Sequence, residues 1–382
     1  MRLLHPDGST VHLAYCANVH AAEDLNGLLD TLRRYAGPVR ERLGVPCLGV
    51  GLWLAAPVAE ALGRDPGAVD RLRAALTRDG IEVVTLNGFP YRAFSAEVVK
   101  RRVYLPDWTE PVRAAYTATL ARILAALLPD DVTQGSISTL PLGWRSRWDR
   151  AAGEQARRAL TGTAEQLAAL EDASGRSIRV GLEPEPGCVV ETTAQAVRAL
   201  EGLDTSRLGV CLDACHLAVQ FEDAAQAVAC LVAADVPVVK TQVAVALRAG
   251  RADRAGLAAF VEPRYLHQTR ERANGAVLGV DDLPEALDGG LPGADEWRVH
   301  YHLPVHMGGA GSTQTELRAT LGAVAGGPAP VTHHLEVETY TWGVLPVGSR
   351  PADDDGLIAG LTAELAWTRD ELLALGLKVL LD

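Results

Sequence analysis

The chain has 382 residues, of which 48% are hydrophobic and 22% are charged, and its formal net charge is −12. This composition is typical of a soluble globular protein. The negative charge repels phosphate backbones, so we do not expect nucleic acid as a partner. We find neither a signal peptide nor an apolar stretch of about 18 residues, the length needed to cross a bilayer. We therefore expect a cytoplasmic protein that does not span a membrane.

Short apolar runs alternate with helical patterns along the chain. A hairpin is expected over about residues 1–12, with its turn at Asp7-Gly8. Nine strand candidates follow, at 11–20, 46–54, 81–88, 135–143, 178–187, 208–216, 236–243, 297–306 and 333–342. Helical patterns separate most of them, including an amphipathic stretch at 112–129 and a helix that begins with the capping-box pair Thr192 and Gln195.

Nearly continuous apolar strands separated by helices indicate a parallel sheet that is covered on both faces. Eight or nine such units favour a closed (β/α)8 TIM barrel over a doubly wound open sheet. Nine strands are one too many for this barrel. We therefore predict a single barrel domain over 1–382 with an insertion at about 244–296, and one strand between 236 and 306 that lies outside the barrel.

Polar side chains collect where the predicted strands end. They are Glu183, Glu185, Asp213, His216, Lys240, Gln242, His300, His302, Glu336 and Glu338. The carboxyl ends of barrel strands surround one small mouth, and unpaired charges removed from water cost several kcal/mol each. A divalent metal would stabilise such a cluster, and Glu183 is expected to remain charged because it binds that ion. The ligand types do not distinguish Mn²⁺, Mg²⁺, Zn²⁺ and Fe²⁺.

Several of these residues have a simpler explanation when they are considered alone. A strand-end carboxylate is more often a helix cap or a partner of arginine than a metal ligand. Glu185 has three open interpretations: an acid behind the metal ligands, an acid that faces a substrate, or the partner of an arginine. The aromatic-rich connection after Asn87 is either a lid over a ligand or a packed surface loop.

Nine segments resemble the metabolite traffic protein EboE family over nearly the whole chain. They are AYCANVH (14–20), TLNGFPY (85–91), VYLPDW (103–108), GSISTLPLG (135–143), LEPEPGC (182–188), GVCLDACH (209–216), YLHQ (265–268), WRVHYHLPV (297–305) and HLEVETYTW (334–342). The family is named for a role in moving precursors of secondary metabolites. It is more distantly similar to xylose-isomerase-like barrels, which include sugar isomerases, ketose 3-epimerases and endonuclease IV.

The resemblance implies a set of metal ligands. The epimerase-like barrels use Glu, Asp, His and Glu from four successive strands, and these positions correspond to Glu183, Asp213, Gln242 and Glu338. Gln242 departs from the pattern, because an amide is a weaker ligand than imidazole. Either His302 supplies the missing nitrogen, or the metal is held loosely or not at all.

The resemblance also implies roles in catalysis. Glu183 and Glu338 would be the acid and base, and His216 matches a histidine that contacts substrate. Lys240 would stabilise a developing enediolate. Three further residues are expected to bind substrate, namely Asn87, Glu185 and His300.

Two classes of function remain open at this point. One is a metal-dependent isomerase, epimerase or lyase that acts on a small polyoxygenated or aromatic metabolite. The other is a non-catalytic protein that binds or escorts such a metabolite on the same barrel. Gln242 favours the escort, whereas the retained acidic ligands favour the enzyme. An endonuclease IV-like phosphodiesterase shares the fold, but the net charge of −12 weighs against it.

Overall fold

The computed structural model describes residues 1–380, and they form one closed barrel with additions. The strands are β1 (Arg2–Leu4), β2 (Thr10–Cys16), β3 (Leu48–Trp53), β4 (Ile81–Glu82), β5 (Thr85–Asn87), β6 (Gln134–Thr139), β7 (Ser177–Leu182), β8 (Leu208–Asp213), β9 (Val238–Val243), β10 (Val245–Ala249), β11 (Thr269–Ala273), β12 (Ala276–Val280), β13 (Trp297–Leu303), β14 (His334–Val337) and β15 (Lys378–Val379). The α-helices are α1 (Leu25–Thr31), α2 (Gly37–Leu43), α3 (Ala56–Arg64), α4 (Pro66–Arg78), α5 (Pro111–Leu127), α6 (Arg150–Ser174), α7 (Thr193–Leu200), α8 (Ala214–Val219), α9 (Ala224–Ala233), α10 (Leu283–Glu285), α11 (Gln314–Ala325) and α12 (Asp354–Ala374).

Parallel pairing joins the barrel strands in the order β2, β3, β5, β6, β7, β8, β9 and β14. The ring closes because β14 pairs with β2 as well as with β9. The short strand β4 pairs with β3 just before β5 does, so the two form one interrupted barrel strand. The predicted (β/α)8 barrel is confirmed.

The first strand lies outside the parallel ring. β1 pairs antiparallel with β2 on one side and with β15 on the other, and Leu3 is opposite both Val11 and Val379. This arrangement ties the two ends of the described chain to each other through β1. No helix within residues 1–380 is both long and apolar enough to cross a membrane.

An inserted antiparallel sheet follows the seventh barrel strand. Its four strands lie in the order β10, β13, β11 and β12. β13 is the surplus strand that the sequence predicted, and it pairs with β10 and β11 instead of a barrel strand. The inserted sheet therefore extends past residue 296, the predicted boundary, to Leu303. The apolar pattern of β13 does not reveal this, because a buried strand has the same pattern in either sheet.

Candidate functional site

Three carboxylates from separate strands meet at one end of the barrel. Glu183 directly follows β7, Asp213 ends β8, and Glu338 directly follows β14. One oxygen atom from each carboxylate lies within 4.8 Å of the others, and the residues are only 2–4% exposed. The sequence-based expectation that these three side chains converge therefore holds in the structure.

The barrel backbone fixes the directions of these side chains. The Glu183 amide donates to the Thr139 carbonyl at 3.0 Å, and the Glu338 amide donates to the Val243 carbonyl at 3.1 Å. Asp213 caps helix α8, because its Oδ1 atom accepts a hydrogen bond from the His216 amide at 2.8 Å. This cap leaves Oδ2 of Asp213 free to face the other carboxylates.

The acidic cluster is electrostatically unfavourable without a cation. Burial, and then the neighbouring negative charges, raise the pKa of Glu183 and of Glu338 well above the ordinary value. Burial also raises the pKa of Asp213. Buried like charges must either bind protons or share a positive ion. The cluster therefore has the electrostatic character of a cation site.

His302 brings an imidazole to this cluster from the inserted sheet. Its Nδ1 atom donates to the Glu338 carbonyl at 2.8 Å, and this hydrogen bond leaves the lone pair on Nε2. Burial lowers the pKa of His302 to about 4, so the ring is neutral at pH 7. The Nε2 atom lies 4.0 Å from Oδ2 of Asp213. Two acceptor atoms thus face each other with no donor between them.

Unsatisfied polar atoms concentrate around this point. The buried side-chain atoms that have no hydrogen-bond partner within residues 1–380 include Glu183 Oε2, Asp213 Oδ2, His302 Nε2, Gln242 Oε1 and Gln242 Nε2. Such groups are rare in folded proteins, because each costs about 1–3 kcal/mol. A hard or borderline divalent cation accepts carboxylate, amide-oxygen and imidazole ligands together. The residues present therefore fit a divalent metal.

Two asparagines hold one of the carboxylates. Oε1 of Glu338 accepts hydrogen bonds from Asn18 Nδ2 at 2.7 Å and from Asn87 Nδ2 at 2.8 Å. Asn87 was expected to bind substrate, and it does line the cavity, but its amide is also bound to Glu338. Asn18 was missed. Its position just after the first barrel strand, in AYCANVH, was the available signal.

Lys240 does not lie among the residues that line the cavity, contrary to the expected contact with an oxyanion. Its ammonium is 2.5 Å from Oε2 of Glu336, and both side chains are fully buried. Lys240 precedes Gln242 by two residues on β9 and therefore faces the barrel interior one layer deeper. Gly51 makes room for its partner, since a Cβ there would lie 1.4 Å from Glu336 Oε1.

A second layer of polar side chains lies beside the carboxylates. His216 Nδ1 donates to the Pro184 carbonyl at 2.9 Å, and its Nε2 atom lies 3.0 Å from Nε2 of His300. Burial lowers the pKa of His216 to about 3 and that of His300 well below the ordinary value. Both rings are therefore neutral at pH 7, and both line the cavity.

Glu185 has hydrogen-bond partners that the sequence did not reveal. The Tyr104 hydroxyl donates to Glu185 Oε1 at 2.5 Å, and Gln268 Nε2 lies 3.4 Å from the same oxygen. Within residues 1–380 no arginine pairs with Glu185, so that interpretation is wrong. Burial raises the pKa of Glu185 to about 8. Tyr104 and Gln268 both lie in segments that carry the family resemblance, VYLPDW and YLHQ.

The cavity above these groups is small, at about 50 Å³. Its walls combine three glutamates and three histidines with five aromatic residues, namely Glu183, Glu185, Glu338, His216, His300, His302, Phe89, Phe94, Tyr104, Tyr265 and Tyr340. Phe89, Phe94 and Tyr104 belong to the connection after β5, and this supports its interpretation as a lid. In this conformation the cavity has room for an ion and a few further atoms.

The lid is attached to both the barrel and the insertion. The buried guanidinium of Arg113 donates to the carbonyls of Gly88, Phe89 and Pro106. Lys100 pairs with Asp282 at 2.6 Å, and its amide donates to the Arg264 carbonyl at 2.8 Å. The insertion thus contributes both a wall of the site, through its sheet, and an anchor for the lid, through the connections that carry Arg264 and Asp282.

Closed parallel barrels form a class of proteins whose functional sites lie at the carboxyl ends of the strands. The buried acidic groups of this chain lie at that end. The family model described as "Xylose isomerase-like TIM barrel" matches residues 42–254, more than half of the chain. The chain therefore belongs to the xylose isomerase-like TIM barrel family. No curated protein matches it.

Several solved structures are similar to this fold. A D-allulose 3-epimerase from Methylomonas sp. is 13% identical, with 95% of this chain and 98% of that chain covered and a TM-score of 0.52. D-psicose 3-epimerase with D-tagatose from Clostridium cellulolyticum H10 is 15% identical, with 94% and 99% covered and a TM-score of 0.51. A xylose isomerase-like TIM barrel protein from Mycobacterium smegmatis in complex with magnesium is 14% identical, with 93% and 98% covered and a TM-score of 0.50. At these identities the similarity shows the fold alone.

Proposed function

We propose that the protein is a metal-dependent enzyme of the sugar isomerase and epimerase type that acts on a small polyoxygenated metabolite. The observation that carries this proposal is the group of three buried carboxylates with an unpartnered imidazole nitrogen facing one of them. Similar solved structures include two ketose 3-epimerases and a magnesium complex, in agreement with the proposal. The resemblance to the EboE family suggests that the substrate is a precursor of a secondary metabolite.

Glu183, Asp213, Glu338 and His302 would hold the metal. His302 is preferred to Gln242 as the fourth ligand, because imidazole is the stronger ligand and its Nε2 atom already faces Asp213. Gln242 is left beside the ion as a further oxygen ligand or as a donor to a bound carboxylate. Since His302 comes from β13, the barrel and its insertion would act together as one domain over 1–382.

A bound divalent cation would polarise a carbonyl or hydroxyl group of the substrate. Glu183 and Glu338 would move a proton at the carbon next to that group, one as base and the other as acid. Asn18 and Asn87 would keep Glu338 oriented during this transfer. His216, His300 and Glu185 also line the cavity and would contact the substrate there.

Proton transfer is tested directly by exchange with solvent. The metal-loaded protein is incubated in D2O with a panel of ketoses, and deuterium incorporation next to the carbonyl is followed by NMR. An enzyme of the proposed type incorporates deuterium into at least one ketose, and E183Q and E338Q do not. The metal content of each variant is also measured, to show whether exchange is lost because the metal is lost or while the metal is still bound. Binding of a ketose without exchange would contradict the proposal.

Binding of a ketose without deuterium exchange would instead support the escort function. The feature that favours an escort is the lid, because its aromatic residues Phe89, Phe94 and Tyr104 line the cavity and would shield a bound ligand from water. Gln242 in place of a histidine favours the same function. An escort binds its ligand with similar affinity in wild type and E183Q, whereas the enzyme loses deuterium exchange in that variant.

A further inference from the structure

A second, larger cavity lies directly outside the candidate metal site. Its volume is about 590 Å³, and it shares four lining residues with the inner cavity, namely Val99, Lys100, Tyr104 and Leu266. Tyr104 forms part of the partition: its hydroxyl bonds Glu185 on the inner side, and its ring lies 4.7 Å from the ring of Trp144. Pockets for small ligands commonly have volumes of about 300–1,000 Å³, so the outer cavity has an appropriate size and the inner one does not.

The outer cavity is rich in cationic side chains, although the chain as a whole carries a net charge of −12. Four basic residues line it, Lys100, Arg101, Arg102 and Arg147, together with three acidic residues, Asp107, Asp282 and Glu285. They come from two separate stretches, KRR at 100–102 and RSR at 145–147, that only the fold brings to the same cavity. Guanidinium groups bind phosphate and carboxylate through paired N–H donors.

Most of the charged groups already have partners. Lys100 pairs with Asp282 at 2.6 Å, and Arg101 pairs with Asp281 at 3.0 Å. The acid Asp107 accepts hydrogen bonds from the amide and the hydroxyl of Thr109. Within residues 1–380, Arg102 and Arg147 form no ion pair. These two guanidinium groups are therefore the cations available to a ligand in this cavity.

The floor of the cavity adds an aromatic surface. Trp144 is 8% exposed, and the guanidinium carbons of Arg101 and Arg145 lie 5.4 Å from its ring centre. Both cation–π contacts hold the ring in place. A ligand that crosses from the inner to the outer cavity would pass over Tyr104 and Trp144 and end near the free arginines.

We propose that the outer cavity binds the anionic end of the substrate, so that the natural substrate is a keto sugar or polyol carrying a phosphate or carboxylate group. This inference rests on the proposed function, which places the polyoxygenated end of the substrate at the carboxylates. The anionic end lies against Arg102 and Arg147. The small inner cavity admits only the reacting end of such a molecule.

The test compares D-fructose with D-fructose 6-phosphate and with 5-keto-D-gluconate by isothermal titration calorimetry at low ionic strength. We expect at least one anionic probe to bind at least tenfold more tightly than fructose, and 0.5 M NaCl to reduce this preference because the arginines are exposed. The phosphate and carboxylate probes distinguish the two sources of negative charge. If neither anion is preferred, the proposal is overturned.

The double variant R102S/R147S should reduce the preference at least fivefold, whereas R92S should keep it. Arg92 is the matched control, because it is exposed on the same lid and lines neither cavity. Equal loss in R92S, or an unchanged preference in the double variant, would contradict the proposal. Repeating the titrations after EDTA treatment separates the metal-site hypothesis from the anion-site hypothesis. If the metal site is wrong, the preference for the anionic probe remains. If the anion site is wrong, metal binding remains.

Discussion

His302 Nε2 faces Asp213 Oδ2 at 4.0 Å, and neither atom has a hydrogen-bond donor within the described part of the chain. The imidazole comes from the inserted sheet and the carboxylate comes from the barrel. Because the other ring nitrogen donates to a backbone carbonyl, the lone pair of Nε2 points into the acidic cluster. This relationship leads to the first two predictions.

Replacing Glu338 with Gln should abolish stoichiometric metal binding. The substitution keeps the shape of the side chain but removes one of three negative charges that surround the proposed ion. Metal content is measured by mass spectrometry on protein purified without chelators. E185Q is the matched control, because Glu185 bonds Tyr104 and lies outside the three-carboxylate group. Full occupancy in E338Q would show that the proposed ligand set is wrong.

Replacing His302 with Ala should lower the metal affinity at least 100-fold, and replacing Gln242 with Leu should lower it less than tenfold. The difference is expected because imidazole is a stronger ligand than a neutral amide. Both affinities are measured by competition with a chromogenic chelator. A larger effect of Q242L would assign the fourth ligand to Gln242 and leave His302 as a substrate-facing residue.

Replacing Lys240 with Met should destabilise the protein by about 3–5 kcal/mol, because Glu336 would keep a buried charge without its partner. The double variant K240M/E336L removes both charges and should recover most of this loss. Urea unfolding monitored by circular dichroism gives the free energy of unfolding for each variant. If K240M is as stable as wild type, the ion pair does not contribute as the structure suggests.

Replacing Glu82 with Gln should remove stability that is present at neutral pH and absent in acid. Burial alone would raise the pKa of Glu82, but His12, the N-terminus and Arg2 outweigh it and lower the pKa to about 2. Relative to the ordinary glutamate pKa of 4.5, this shift contributes about 3 kcal/mol of stability above pH 4.5, and the contribution is lost as the pH falls through the folded-state pKa.

The melting temperatures of wild type and E82Q should therefore differ at pH 7 and approach each other as the pH falls towards 3. E60Q is the control for this comparison, since Glu60 is exposed on α3 and its one ion-pair partner among residues 1–380 is Arg64 on the same helix. A difference that stays constant between the two pH values would contradict the expected role of Glu82.

The fold was largely predictable because its signals are local. Almost continuously apolar strands alternate with amphipathic helices along the chain. This pattern matches the burial of strands and helices in a parallel barrel and in few other folds. The same regularity brings the ends of the strands together, so the proximity of Glu183, Asp213 and Glu338 followed from their positions. One surplus strand was also predictable by counting.

Other features depended on contacts between distant parts of the chain. The strand that carries His300 and His302 has the apolar pattern of a barrel strand, and only its pairing with β10 and β11 assigns it to the inserted sheet. Lys240 lies one layer below the cavity, where Glu336 pairs with it. The partners of Glu185 come from the lid and the insertion.

The sequence by itself determined the barrel and the gathering of acidic side chains at one end of it, since strand periodicity sets both which residues are buried and where each strand ends. Only the tertiary structure decided which of those side chains face one another, which are neutralised in the interior, and how the lid divides the space above them. Hydrogen bonds and ion pairs over a few ångströms make these choices, and no local pattern in the chain encodes them.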